Sequence, residues 1–339
     1  MKYVILFISG LLLLNCDSGT SKIKPVKTPV EYAIVIHGGA GTIERSNMDE
    51  VTEKAYFDAL NAALDIGEQI LKSGGKSIDA VEQTIRFMED SPLFNAGRGA
   101  VFTHNGVNEL DASIMSGDLQ TAGAIAGVTT IKNPISAARA VMEKSGHVML
   151  TGKGAQEFAQ ENGIELVDPS WFYTEKRWKS LQLILKEDSL KTELSEDEKG
   201  NKKNGTVGCV AFDKSGNIVA GTSTGGMTNK RYGRVGDAPV IGAGTFADNA
   251  TCGVSCTGHG EFFIRYTVAR DVAALMEYKG LSLDAAAGFI INRKLVEKGG
   301  EGGLVALDKM GNITMPFNSS GMYRGYAKPG ERFTAIYKE

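Results

Sequence analysis

The stretch Gly205-Thr206-Val207-Gly208-Cys209-Val210-Ala211-Phe212 decides the fold, because a charged segment ends and an apolar strand begins within it. The residues from 207 to 212 have the composition and length of a strand buried inside a sheet. Residues 186–205 before the strand are charged and lack apolar periodicity, which predicts a disordered linker. The junction between linker and strand therefore falls at the Gly205–Thr206 bond.

Gly205 and Thr206 have the chemistry that a self-cleaving chain needs at such a junction. Gly205 has no side chain to block access to its carbonyl carbon, and it tolerates a strained backbone. If the bond breaks, Thr206 gains a free α-amine whose pKa of about 7.7–8.0 suits a base acting on the neighbouring hydroxyl. Taken alone, a Gly-Thr pair is more often an ordinary strand start.

Polar residues in the glycine-rich blocks that follow favour the chemical interpretation. Arg234 and Asp237 lie three residues apart. They offer a cation for the α-carboxylate and an anion for the α-ammonium of an amino-acid-like substrate. The alternative is a salt bridge on a surface loop, which contributes roughly 0–1 kcal/mol. Residues 37–41 lack the spacing of a dinucleotide fingerprint and are predicted to form a glycine-rich turn, in which His37 is more often structural.

Many short blocks in order make the chain similar to a known family. From about residue 31 to residue 339 it resembles the plant-type L-asparaginase/isoaspartyl peptidase family of N-terminal nucleophile hydrolases. A single block is weak evidence, but so many in this order are specific. The blocks are residues 37–41, 92–97, 109–112, 205–208, 222–226, 233–237, 257–261, 302–303 and 316–318.

The resemblance implies an α+β fold, a four-layer αββα sandwich of the N-terminal nucleophile hydrolase type. The order of strands and helices fits such a layered domain. The resemblance also implies cleavage between Gly205 and Thr206. Residues 31–205, with a disordered linker at about 186–205, would form an α subunit, and residues 206–339 would form a β subunit of the same domain.

The resemblance also implies roles for individual residues. Thr206 is the expected nucleophile, and Thr224 orients the proton transfer. The Thr257 hydroxyl and the Gly258 N–H are expected to form the oxyanion hole, in which one donor is worth roughly 10²–10³ in rate. The residues expected to bind the substrate are Arg234, Asp237, Thr257, Gly258 and Gly260.

A sodium ion is the one bound group that the resemblance implies. No cofactor is expected for the chemistry itself. In that family, backbone carbonyls hold the ion, and the matching segment is residues 89–99, including Glu89, Phe94 and Ala96. Carbonyl ligands leave almost no side-chain pattern, so the sequence neither indicates nor excludes the ion. It also leaves open whether Asn95 reaches the nucleophile or is a turn residue.

Residues 1–16 have the pattern of an export signal. Lys2 precedes an apolar run, residues 4–14, that is short for a membrane span. Residues 13–16 resemble a relaxed lipoprotein box, so lipidation of Cys16 is expected, with plain secretion as the alternative. Residues 17–30 read as a flexible tether. We therefore expect an exported protein, either periplasmic or anchored in a membrane as a lipoprotein.

Composition excludes several other classes. The chain is 42% hydrophobic and 23% charged, which is typical of a globular protein, and its net charge of −3 gives no indication of a nucleic-acid-binding surface. The four cysteines lack the spacing of a zinc site. Small buried side chains are the favoured interpretation for them, and a Cys252–Cys256 disulfide is left open.

Apolar periodicity and turn residues predict the main elements. The helices are expected over 48–73, 78–89, 135–144, 152–162, 171–185, 262–278 and 282–297, with Ser77 as the N-cap of the second. Strands are expected over 31–36 and 122–131, and a hairpin is expected to join 303–308 to 313–317.

The expected function is hydrolysis of a small-molecule β-amide: release of L-aspartate from isoaspartyl dipeptides, and hydrolysis of L-asparagine. The first alternative is a glycosylasparaginase of the same superfamily. Those enzymes usually have aspartate at the positions of Gly205 and Glu261, so both residues favour the isoaspartyl type. The second alternative is a surface lipoprotein without enzymatic activity. Pairing of two αβ units into a heterotetramer is expected by analogy only.

Overall fold

The structure is a computed structural model that describes residues 30–191 and 205–338. The predicted leader, its Cys16, nearly all of the tether and residues 192–204 lie outside the described residues. Within the described ranges, no helix is both long enough and apolar enough to cross a membrane.

The described residues form two β-sheets and eight α-helices. The strands are β1 (Ala33–Gly41), β2 (Leu110–Ser116), β3 (Ala122–Val128), β4 (Met149–Thr151), β5 (Val207–Phe212), β6 (Ile218–Thr224), β7 (Thr245–Ala247), β8 (Cys252–Gly258), β9 (Gly302–Asp308), β10 (Ile313–Thr314), β11 (Gly321–Lys328) and β12 (Glu331–Tyr337). The helices are α1 (Glu50–Lys72), α2 (Ser77–Asp90), α3 (Pro134–Lys144), α4 (Gly152–Glu161), α5 (Glu175–Lys191), α6 (Gly260–Arg265), α7 (Val268–Lys279) and α8 (Leu283–Phe289).

The larger sheet has eight strands in the order β12-β11-β1-β5-β6-β2-β3-β4, and the smaller has four in the order β10-β9-β8-β7. β5 pairs with β1 on one side and with β6 on the other, antiparallel in both cases. The strand that begins at Val207 therefore lies in the middle of the larger sheet, where both of its edges are hydrogen-bonded.

The two sheets pack face to face between helices, and alternate residues of β1 show how. Ile34 and Ile36 belong to a core that includes residues of α1 to α4, whereas Ala33 and Val35 belong to a core shared with the smaller sheet, α7 and α8. Successive side chains of a strand point to opposite faces. Since both faces are covered, β1 reads as a continuous apolar run. The arrangement confirms the predicted αββα sandwich.

The start of the second helix differs from the prediction. α2 begins at Ser77, and Lys76 occupies the cap position without a side-chain hydrogen bond. The Ser77 N–H instead donates to Oδ2 of Asp213 at 2.8 Å. A carboxylate from the turn between β5 and β6 thus satisfies an N–H that a local cap would otherwise bind.

The predicted single helix over 262–278 is wrong, because it is divided into α6 and α7. Thr267 separates them with a φ of +45°, in the left-handed region that a helix cannot continue through. The predicted helix over 282–297 begins as α8 and continues as a π-helical stretch, Ile290–Leu295.

The predicted start of the linker is also wrong, because α5 continues to Lys191. Asn229 Nδ2 donates to Oδ2 of Asp188 at 2.9 Å, which ties this charged part of the helix to the loop after β6. A tertiary contact therefore stabilises a segment that charge alone marks as disordered.

Residues 37–41 are a strand rather than a turn. They form the second half of β1, which pairs with β11 through a bulge between His37 and Gly39. β11 and β12, which follow one another at the edge of the larger sheet, were not predicted. Their apolar residues do not alternate regularly, so periodicity gave no indication of them.

The cysteines among the described residues are free and buried. Cys252 and Cys256 lie on the same strand, β8, four positions apart. That spacing corresponds to about 13 Å along an extended chain, whereas the Cα atoms of a disulfide lie within about 7 Å. The Cys252–Cys256 disulfide is therefore excluded.

Candidate active site

The bulged half of β1 packs directly against the Gly205–Thr206 bond. A Cβ built on Gly39 would lie 3.0 Å from the Gly205 Cα and 3.1 Å from the Thr206 nitrogen. The φ of Gly39 is +109°, a conformation that L side chains rarely adopt. Glycine at position 39 thus allows β1 to lie against the Gly205–Thr206 junction, directly before β5 begins.

Three side chains converge on the carbonyl oxygen of Gly205. Asn95 donates from Nδ2 at 2.8 Å, and Thr224 donates from Oγ1 at 3.0 Å. The Thr206 Oγ1 lies 2.7 Å from the same oxygen. A carbonyl held by two fixed donors beside a hydroxyl has the arrangement in which negative charge on the oxygen is stabilised.

The amide of Asn95 is held in one orientation. Its Oδ1 accepts the Val101 N–H at 2.9 Å, and its Nδ2 also donates to the Gly226 carbonyl at 2.8 Å. The structure thus places the Asn95 side chain in the nucleophile region. The sequence had left open whether it reaches there. No local pattern separates an asparagine in a turn from one that reaches across 110 residues.

Thr224 connects the carbonyl to the Thr206 hydroxyl. The Gly226 N–H donates to Thr224 Oγ1 at 3.0 Å, and the Thr206 Oγ1 lies 3.2 Å from the same atom. A hydroxyl donates one hydrogen and accepts two. With its own hydrogen directed at Gly205, Thr224 is placed to accept a hydrogen bond from the Thr206 hydroxyl.

Arg234 does not pair with Asp237, so a local Arg–Asp salt bridge is wrong. Its Nε and Nη2 bind the two oxygens of Glu261 at 2.9 and 3.0 Å, a bidentate pair that fixes the guanidinium plane. Asp237 is buried and makes no ion pair with another described residue. Its Oδ2 has no hydrogen-bond partner in the structure, and burial raises the pKa of this carboxyl to about 7.

The Thr257–Gly260 segment completes the surroundings of the two charged groups. The Thr257 Oγ1 accepts the Ala40 N–H at 3.2 Å, so its own hydrogen is left to donate elsewhere. A Cβ on Gly260 would lie 2.7 Å from Arg234 Nη2 and 3.0 Å from Asp237 Oδ1. The absence of a side chain at residue 260 therefore keeps the approach to both groups clear.

Most of the predicted site residues line one small cavity, called here the nucleophile cavity. Thr257 and Gly260 lie next to it. The cavity measures about 10 Å³, which is roughly the space of one water molecule. The uncut chain therefore has no room for an amino-acid substrate. The lining includes Gly205, Thr206, Thr224, Arg234, Asp237 and Gly258.

Lys230 is a buried cation near the site that the sequence gave no reason to select. Its Nζ donates to the Glu109 carbonyl at 3.0 Å and lies 3.7 Å from Glu109 Oε2. Burial lowers the pKa of Lys230 and raises the pKa of buried Asp111, whose charge attracts Lys230. Asp111 lies opposite Thr224 in the pairing of β2 with β6. A buried lysine and a buried carboxyl that attract each other thus lie beside the strand that carries Thr224.

The backbone carbonyls of residues 89–99 are the candidate ligands for a cation. A Cβ on Gly97 would clash with the Glu89 carbonyl, and one on Gly99 would clash with the Phe94 carbonyl. The Ala96 carbonyl accepts the Gly99 N–H at 3.1 Å, which leaves one lone pair. The carbonyls of Glu89 and Phe94 therefore lie against Gly97 and Gly99, closer than any other residue would permit. Carbonyl oxygens are donors that suit a hard cation.

Side chains offer no comparable metal site. In the parts of the chain that the structure describes, no group of three or more histidine, cysteine, aspartate or glutamate residues is placed to hold a metal ion.

Comparison with known proteins gives consistent matches over nearly the whole chain. A family model described as "Asparaginase" matches residues 30–336. The chain is 49% identical over 310 residues to "Isoaspartyl peptidase" of Escherichia coli (strain K12), covering 90% of this chain and 96% of the relative. It is 40% identical over 304 residues to "Isoaspartyl peptidase/L-asparaginase" of Bos taurus, with 89% and 95% covered. It is 41% identical over 303 residues to "Plant-type L-asparaginase" of Pyrococcus horikoshii, with 88% and 97% covered.

Proposed function

The chain belongs to the asparaginase family, and from that premise we propose that it is an isoaspartyl peptidase and L-asparaginase with Thr206 as its nucleophile. One observation carries the proposal: the Thr206 hydroxyl, the doubly hydrogen-bonded Gly205 carbonyl, Arg234 and unpaired Asp237 all face the nucleophile cavity. A hydroxyl nucleophile and a pair of opposite charges for an amino acid are what hydrolysis of a β-aspartyl amide requires.

Activation begins with cleavage of the chain by itself. The Thr206 Oγ1 attacks the Gly205 carbonyl carbon, forming a C–O bond, and charge on the oxygen is stabilised by Asn95 and Thr224. The C–N bond then breaks, and the proton lost from the hydroxyl is taken up by the departing nitrogen. Water hydrolyses the resulting ester, which leaves a carboxylate on Gly205 and a free amine and hydroxyl on Thr206. Residues 206–339 become the β subunit, and residues 31–205 form the α subunit.

Turnover repeats the same attack on a substrate. The α-amine of Thr206 takes the proton of its own hydroxyl as Oγ1 attacks the β-carbonyl carbon, and Thr224 orients this transfer. The Thr257 hydroxyl and the Gly258 N–H donate to the developing oxyanion. The leaving amine accepts the proton as the C–N bond breaks. Water then hydrolyses the aspartyl ester, which releases L-aspartate and restores Thr206.

Arg234 and Asp237 hold the aspartyl part of the substrate. Arg234 is kept in plane by Glu261 and presents its Nη1 side to the α-carboxylate. Asp237 accepts from the α-ammonium, and a second positive charge beside this buried carboxyl favours its ionised form. Both contacts are made to atoms that isoaspartyl dipeptides and asparagine share.

Neither alternative function is favoured. The similar proteins described above are named as isoaspartyl peptidases or asparaginases, and none of those three is named as a glycosylasparaginase. A surface lipoprotein without activity would not need the unpaired, buried carboxyl of Asp237 beside the Gly205 carbonyl and the Thr206 hydroxyl. A buried carboxyl without a partner lowers the stability of the fold unless it binds a ligand.

Further properties are proposed with the function. The carbonyls of residues 89–99 hold a sodium ion that keeps Asn95 in place, and the ion takes no part in the chemistry. Two αβ units associate into a heterotetramer. The leader exports the protein to the periplasm or the cell surface, where Cys16 carries a lipid anchor.

Hydrolysis of three substrates side by side tests the proposed function. Purified wild-type protein and Thr206→Ala are assayed with isoaspartyl-leucine, L-asparagine and N-acetylglucosaminyl-asparagine. We expect the wild type to release aspartate from the first two and the variant to release none. Preferred hydrolysis of the glycosylated substrate, or activity in the variant, would contradict the proposal.

A further inference from the structure

A second cavity lies on the other side of Gly205 and is called here the aromatic cavity. It measures about 210 Å³, whereas roughly 150 Å³ is enough to hold benzene. Among the described residues, Gly205 alone lines both this cavity and the nucleophile cavity. Gly205 therefore lies between the two spaces in the uncut chain.

Three aromatic rings form an apolar part of the wall of the aromatic cavity. The rings of Tyr56 and Tyr323 are stacked with centroids 4.1 Å apart, and the ring of Phe94 meets Tyr56 edge-on at 5.8 Å. The Tyr56 hydroxyl is directed away to the Leu93 carbonyl at 3.0 Å. This part of the wall favours an apolar side chain over a charged one.

Arg177 supplies a half-buried cation in this wall. Its Nε donates to the Gly99 carbonyl at 2.8 Å, which fixes the position of the guanidinium group. Its Nη1 and Nη2 make no hydrogen bond with a described residue, and no described carboxylate lies within ion-pair distance. The other charged residues that line the cavity, Glu44 and Lys176, are exposed at its rim.

We propose that the aromatic cavity binds the leaving group of an isoaspartyl dipeptide, an amino acid with an apolar side chain, and that Arg177 binds its carboxylate. The inference rests on the proposed function. With the aspartyl part held by Arg234 and Asp237, the scissile carbonyl lies at Thr206, and the leaving residue extends through the space that Gly205 occupied. A planar guanidinium whose Nη1 and Nη2 are free of described partners matches a carboxylate. Asparagine releases ammonia and does not enter the cavity.

Arg177→Gln tests this assignment, because glutamine removes the charge and retains a hydrogen-bond donor. For fully cleaved protein, we expect kcat/KM for isoaspartyl-leucine to fall about 10- to 100-fold, as for loss of a charge-assisted hydrogen bond. We expect kcat/KM for L-asparagine to stay unchanged. Arg293→Gln is the matched control, since Arg293 lies exposed over the Phe289 ring, 5.6 Å from its centroid, and does not line the cavity.

A substrate whose leaving group lacks the carboxylate completes a thermodynamic cycle with Arg177→Gln. Isoaspartyl-leucinamide should be hydrolysed equally well by the wild type and by Arg177→Gln, because neither can form the contact. An equal loss for isoaspartyl-leucine and asparagine would overturn the inference in favour of a structural role, and so would no loss for either. If cleaved wild-type protein hydrolysed neither substrate, the proposed function itself would be contradicted.

Discussion

The side-chain amide of Asn95 donates to the carbonyl oxygen of Gly205 at 2.8 Å, and the proposed cleavage breaks the C–N bond between that carbonyl and Thr206. Thr257 and Gly258, the donors proposed for turnover, are not among the groups that hydrogen-bond this oxygen. In the proposed mechanism, cleavage and turnover therefore use different donors around one hydroxyl. Asn95 and Thr224 are proposed to act on the carbonyl of the chain, and Thr257 with Gly258 on the carbonyl of the substrate.

Asn95→Ala should slow cleavage of the chain. Apart from Thr206, two side chains donate to the Gly205 oxygen, and the substitution removes one of them. The loss of one such donor lowers a rate by about 10²–10³. A time course on denaturing gels, from the first synthesis of the protein, measures the uncut fraction.

Asn108→Ala is the control for this experiment. Asn108 is also buried and also donates to backbone carbonyls, those of Ala100 and Val101, but it does not contact Gly205. If both variants slow cleavage equally, Asn95 acts by supporting the loop and the assigned role is contradicted.

Arg234→Lys should weaken substrate binding and leave cleavage of the chain intact. Lysine keeps the charge but lacks the planar fork that Glu261 orients, so we expect KM for isoaspartyl-leucine to rise about 10- to 100-fold. Arg293→Lys, at an exposed ion pair with Glu297, should have no effect. An uncut Arg234→Lys protein would assign Arg234 to folding instead.

The activity should depend on the ionisation of Asp237. Burial raises the pKa of this carboxyl to about 7, so it is neutral below that pH and ionised above it. Since only the carboxylate accepts from the α-ammonium, kcat/KM for isoaspartyl-leucine should rise as the pH increases through about 7. The Thr206 amine must also lose a proton in a nearby range.

A substrate without the α-ammonium separates the two ionisations. Succinyl-leucine has no group for Asp237 to bind, so its pH profile should retain only the dependence on the Thr206 amine. Identical profiles for the two substrates would show that Asp237 does not bind the ammonium.

Gly208→Ala should destabilise the fold near the nucleophile. A Cβ at this position would clash with Ser255 Oγ and His37 Nε2, which are 3.0 Å apart in a buried hydrogen bond. We expect a loss of about 1–3 kcal/mol in the free energy of unfolding, as for other overpacked cores. Gly154→Ala, on helix α4 with open space around it, should instead be neutral or slightly stabilising. Thermal unfolding of both variants measures the difference.

The sequence predicted the layers well because their apolar periodicity is local. It predicted α1 to within two residues, and the β5 strand directly after Thr206. It failed where a distant residue decides the outcome. At the start of α2, Asp213 accepts the Ser77 N–H, and Ser77 is not the cap. Near the end of α5, the hydrogen bond from Asn229 to Asp188 stabilises the helix beyond the expected start of the linker.

The candidate site was predicted as a set of residues but without its hydrogen bonds. Glycine-rich blocks identify Arg234 and Asp237 as a pair, yet only the folded chain shows that Glu261 binds Arg234 and leaves Asp237 unpaired. Lys230 and Arg177 were not selected, since a lysine or arginine in sequence gives no indication of whether it is buried.

The N-terminal residue of the active protein tests the central claim most directly. Mass spectrometry of purified protein with measured activity on isoaspartyl-leucine identifies every chain end. The account predicts a chain that begins at Thr206 in proportion to the activity, and none in Thr206→Ala. Full activity from protein in which the Gly205–Thr206 bond is intact would contradict the account.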